Sequence, residues 1–157
     1  GMRADVSGAM ATNAAGERCL LAGIARQNGT GEIAPLTMAL GSTAGQDWHF
    51  NPVSGAGQRG VSGGLGLNPT GLLVRLAGRV ESVDAGGAYL VLSDGSGVED
   101  PDGRPGVRVQ AAGIMPPGLA AGDFVTVTGI SSCYKVGEDL HPQLLTRSAE
   151  DVQVVTP

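Results

Sequence analysis

The run GLLVRLAGRVESVD, residues 71–84, alternates with a period of two, and no other feature constrains the fold as much. Strand side chains point alternately to opposite faces. Leu72, Val74, Leu76 and Val80 therefore share one side, and Leu73, Arg75, Ala77 and Arg79 the other. The pattern returns in AYLVLSD (88–94), GVRVQA (106–111), DFVTVTGI (123–130) and, with an irregular middle, PQLLTRSAEDVQVV (142–155). Helical periodicity is confined to residues 115–123 and 147–152, each long enough for one turn. Five short strands within 85 residues predict an all-β barrel or sandwich over 71–157.

Composition agrees with this. Glycine supplies 27 of 157 residues, far above the roughly 7% of average usage, and there are nine prolines. Such a chain is rich in turns. Residues 29–70 read as an ordered glycine-rich connector, because Leu36, Met38, Leu40, Trp48, Phe50, Val61, Leu65 and Leu67 give it apolar anchors.

The first 28 residues read as a β-hairpin. VSGAMATNAAGE (6–17) lies without a gap on VTGISSCYKVGE (127–138), with five of twelve positions matched: Val, Ser or Thr, Gly, and the closing Gly-Glu pair. An apolar stretch follows each copy, RCLLAGIA directly in one and PQLLTRSA after three extra residues in the other. The expectation is a hairpin like the last two strands of the C-terminal unit, a remnant or partial copy of a first barrel.

Charge bounds the partners. Residues 1–70 carry four basic and four acidic groups, and residues 71–157 carry six and eleven, so the formal −5 lies wholly in the second part. That balance opposes tight, nonspecific binding to polyanions. Cys19 and Cys133 form no CxxC pattern, which excludes a disulfide-dense scaffold and an all-cysteine zinc site and leaves one bridge open. No stretch approaches 18 apolar residues, so no membrane partner is expected, and no signal peptide is visible in GMRADVSGAM.

VRLAGRVESVDAGGAYLVLSDGSG, then GVRVQA, then GLAAGDFVTVTGISSCYKVGEDLHPQLL resembles the OB-fold, the oligonucleotide/oligosaccharide-binding barrel, in its bacterial nucleic-acid-binding type. Gly78 would let a long first strand bend as the barrel closes, Asp94-Gly95 and Ser96-Gly97 turn the chain after strand two, and Gly122-Asp123 opens strand four. The resemblance covers residues 71–156 and implies a five-stranded Greek-key barrel. Its usual helix between strands three and four shrinks here to one turn or none.

The same resemblance implies a ligand face on strands two and three and the adjoining loops. Single strands bind such faces through cations along the backbone and aromatic platforms. The implied ligand-binding residues are Arg75, Arg79 and Arg108 on outward strand faces, Tyr89 if Leu90 and Leu92 fill the barrel, and Tyr134 with Lys135 in the loop joining strands four and five.

Catalytic and metal chemistry find little footing. The loop carboxylates Asp94, Glu99, Asp100 and Asp102 depart from a calcium loop at Ser96 and Pro105 and read as a solvated turn. His49 and His141 lie in no HExxH or GxSxG setting, and no glycine run ends in Gly-Lys-Ser/Thr. The expected function is a non-catalytic binding module without cofactor or metal, holding single-stranded DNA or RNA on the barrel face. The alternative is a structural or interaction domain of a larger modular protein, with protein or carbohydrate partners.

Overall fold

The computed structural model describes residues 1–111 and 115–155, apart from the side chain of Ala22. Two sheets account for its strands. A two-stranded antiparallel ribbon joins β1 (Met2–Thr12) to β2 (Arg18–Thr30). The second sheet holds β3 (Leu36–Thr37), β4 (Leu73–Val83), β5 (Tyr89–Ser93), β6 (Val107–Gln110), β7 (Phe124–Val136), β8 (Asp139–Leu145) and β9 (Val152–Val154).

This sheet closes on itself. The order runs β4-β5-β6-β8-β7, and β7 pairs back onto β4, from Leu73↔Ile130 to Arg79↔Phe124. β6 and β8 are parallel; the other ring pairings are antiparallel. The result is an all-β, barrel-like fold with five strands in its ring, as the alternation predicts.

Alternation places the core inside it. Val74, Leu76, Val80, Leu90, Leu92, Val107, Val109, Val125, Val127 and Leu144 are all buried in one cluster, joined by Leu40 from the connector and Val152 from β9. Each such side chain contributes about 1.5–3 kcal/mol by leaving water. β4 changes partner at Arg79, pairing with β7 through residues 73–79 and with β5 from residue 79 onward. Gly78 stands at that switch: a Cβ there would lie 2.5 Å from the Ser93 carbonyl oxygen, so only glycine permits the close approach.

Several expectations need correction. The last expected strand is two strands, because Ser148 and Asp151 cap a 3₁₀ turn at Ala149–Asp151 that separates β8 from β9. β8 also begins three residues before Pro142, which pairs with Cys133 just ahead of the stretch joined by β6. The hairpin is longer than expected and reaches Thr30. The link between β6 and β7 agrees with the expectation of one helical turn or none, since residues 115–123 form turns, and residues 112–114 lie outside the described residues.

The connector is ordered by fewer anchors than its apolar content suggests. Leu40 and Val61 are buried and Met38 packs against the core, but Leu36, Trp48, Leu65 and Leu67 are exposed. Asp94 ties the connector to the barrel by accepting a 2.8 Å hydrogen bond from the Leu40 amide.

Candidate ligand face of the barrel

The barrel's curvature decides which candidate residues meet. With Leu90 and Leu92 filling the interior, Tyr89 projects outward, as does Arg108 on the adjacent β6. Two strands further round, Tyr134 lies on the outer side of β7, directly across from His141 on β8. The Arg108 guanidinium stands 4.2 Å from the Tyr89 ring centre and 4.3 Å from that of Tyr134. His141 continues the row, its ring centroid 5.7 Å from that of Tyr134. Val91, opposite Arg108, is fully buried, so the cluster rests on a filled layer.

The electrostatics of this patch are mixed. Burial pushes the Tyr134 hydroxyl up to about 12; Arg108 opposes that rise, and Asp100 and Asp102 add to it. Arg108 Nε and the Tyr134 hydroxyl are buried with no hydrogen-bond partner in the described protein. Buried polar atoms of this kind are uncommon and mark places where a further polar group completes a network.

Arg75, Arg79 and Lys135 belong elsewhere. Arg75 donates from Nε to Thr128 Oγ1 at 3.1 Å, and Arg79 lies beside Gly122, both on the outer side of β4. Among the described residues neither makes a ring contact or ion pair with the Arg108 cluster. Lys135 pairs with Glu138 at 3.1 Å across the exposed turn. Among the described residues none of the three arginines lies within ion-pair distance of a carboxylate.

The acidic loop after β5 builds turns. Asp94 accepts from the Ser96 and Leu40 amides; burial raises its carboxyl, but the Ser96 side chain, with these amides, holds it below the usual range. Asp100 accepts from the Asp102 and Arg104 amides, and Asp102 pairs with Arg104 at 3.4 Å. No cluster of three or more His, Cys, Asp or Glu among the described residues is arranged to hold a metal ion. Both cysteines are free thiols.

His141 was missed because Asp139–His141 precede a proline and do not read as strand. The usable signal was the alternation of His141 and Gln143 against Leu140 and Leu144. The sequence also gave no warning of an open apolar groove of about 690 Å³, lined by Leu36, Trp48, Leu65, Leu67 and Leu72 where the connector meets the barrel. Comparison with protein-family models, curated proteins and solved structures finds no match to the chain.

Proposed function

We propose that the chain is a non-catalytic binding module of the OB type whose barrel holds single-stranded nucleic acid at Tyr89, Arg108 and Tyr134. One observation carries this reading: a guanidinium and two aromatic rings, the groups that contact phosphates and stack on bases, converge on the strands where such barrels bind ligands. Arg75 and Arg79 extend the contact for a strand that wraps round β4.

A titration of labelled single-stranded DNA and RNA tests it. With at most three arginines engaged, the slope of log K against log salt is no steeper than about −2. Arg108→Ala weakens binding and flattens that slope, and Tyr89→Ala costs about 1–3 kcal/mol of stacking. Absence of binding at micromolar protein in low salt overturns the reading.

A second reading, an interaction domain of a larger modular protein with a protein or carbohydrate partner, is favoured by the groove beside Trp48. Trp48, Leu65 and Leu67 are 52%, 79% and 78% exposed there.

A further inference from the structure

The ribbon reproduces the pairing of β7 with β8. Laying 6–17 on 127–138 superposes Ala9, Met10, Ala11 and Thr12 on Ile130, Ser131, Ser132 and Cys133. Their cross-strand partners are Leu21, Leu20, Cys19 and Arg18 in the ribbon, and Leu145, Leu144, Gln143 and Pro142 in the barrel. These are the residues superposed when RCLLAGIA is laid on PQLLTRSA. The register therefore repeats with the sequence.

The glycines repeat as well. A Cβ on Gly8 would stand 2.7 Å from the Leu21 carbonyl oxygen, and one on Gly129 would stand 2.6 Å from that of Leu145. Gly16 and Gly137 both turn with positive φ, 84° and 60°. Beyond them, Ala4, Asp5 and Val6 pair with Gln27, Arg26 and Ala25 as Val125, Thr126 and Val127 pair with Val154, Gln153 and Val152. β2 thus corresponds to β8 and β9 joined, with a register shift where the barrel has its 3₁₀ turn.

Only the surroundings differ. Val127 and Leu144 are fully buried, whereas their counterparts Val6 and Leu20 are 53% and 45% exposed, with Met10 exposed beside them. In the barrel β7 has β4 on its far edge and β8 has β6. Among the described residues β1 and β2 pair only with each other. A lone two-stranded ribbon is marginal in water, and its free edges are templates for further strands.

We propose that the ribbon accepts a three-stranded β-meander from a protein partner, built like β4–β6, which closes it into a second barrel. An antiparallel strand adds along residues 3–9, as β4 does along 124–130. A parallel strand adds along 19–21, as β6 does along 143–145, and the apolar face covers Val6, Met10 and Leu20. A second copy of this chain has its own β4–β6 locked in its own barrel, so the meander comes from a separate segment.

The probe is a copy of residues 71–122 joined ahead of Met2 of the full chain, because Met2 superposes on Asp123 in the repeat. Amide hydrogen exchange is read in the extended and unextended proteins, with mass measured by sedimentation. In a monomeric extended protein, residues 3–9 and 19–21 exchange at least about tenfold more slowly than in the unextended chain. Val6→Asp with Leu20→Asp restores fast exchange while residues 73–145 of the original barrel keep their rates. Unslowed exchange in the extended protein overturns the proposal, as does slowing that survives the double substitution. Slowing in the unextended chain that grows with dimer formation assigns the ribbon to a second copy instead. The oligonucleotide titration reads the other barrel face, so the two proposals fail separately.

Discussion

Arg108 places its guanidinium carbon 4.2 Å from the centre of the Tyr89 ring, across the β5–β6 pair. With Tyr134 contacting the same group at 4.3 Å, one cation links three strands of the barrel on its outer side. A partly desolvated cation over two rings stabilises the barrel.

Arg108→Ala therefore lowers folding stability by about 1–3 kcal/mol, and Arg108→Lys, which lacks the planar stacking surface, recovers only part of this. Urea unfolding of the three proteins checks it, with tyrosine near-ultraviolet circular dichroism as a local probe. Equal stability of all three would show that the stack contributes nothing.

Alkali should destabilise the protein through Tyr134. Its folded pKa, pushed up to about 12, lies above the ordinary value of 10 for the unfolded chain. The resulting stability is fully present below pH 10 and is lost as the pH rises through 12. In Tyr134→Phe that part of the decline between pH 10 and 12 disappears, as read by chemical denaturation across the range.

The two thiols should differ in reactivity. Burial, reinforced by the neighbouring Glu17 carboxylate, pushes Cys133 up to about 12, and its amide donates to Glu17 at 3.1 Å. Thiolate is the reactive form, so one equivalent of a thiol reagent reacts with the native protein near pH 8, at Cys19, and two react in urea. Prompt labelling of Cys133 in the native state would contradict the packing of the ribbon turn against β7.

The link that Asp94 makes between connector and barrel should fail in acid. Its lowered pKa means that its contribution is present above the unfolded value of 3.8 and lost as the pH falls through the folded value. Asp94→Asn weakens the hydrogen bond to Leu40, costing on the order of 1 kcal/mol, and reduces the acid dependence. Limited proteolysis within residues 41–70 should accelerate in this variant and leave the barrel intact.

Gly78→Ala should damage the barrel through a single methyl. The added carbon would meet the backbone of Ser93, which flexible side chains cannot relieve. A loss of about 1–3 kcal/mol is expected from thermal unfolding.

The barrel was readable because its information is local. Alternation in residues 71–84 and 88–94 names the buried side chains before any partner strand is known, and Asp94-Gly95 and Gly122 carry turn chemistry of their own. β8 was blurred because Pro142 argues against strand when taken alone; only the neighbouring strands show that its missing donor falls where no ladder bond is required. Leu36, Leu65 and Leu67 misled for the opposite reason, since hydrophobicity does not say whether anything arrives to cover a side chain.

By itself, the order of residues determined the period-two faces, the turns, the acidic balance of the second half and the repeat that links residues 6–17 to 127–138. Tertiary structure alone decided that Tyr89, Arg108 and Tyr134 meet while Arg75 and Arg79 do not, and that Val127 is buried while Val6 stands exposed. The physical reason is the closure of the sheet. Pairing β7 with β4 closes the ring, brings Arg108 and Tyr134, 26 positions apart in sequence, into contact on its outer side, and excludes water from one strand pair while the same pattern outside the ring keeps its apolar face in solvent.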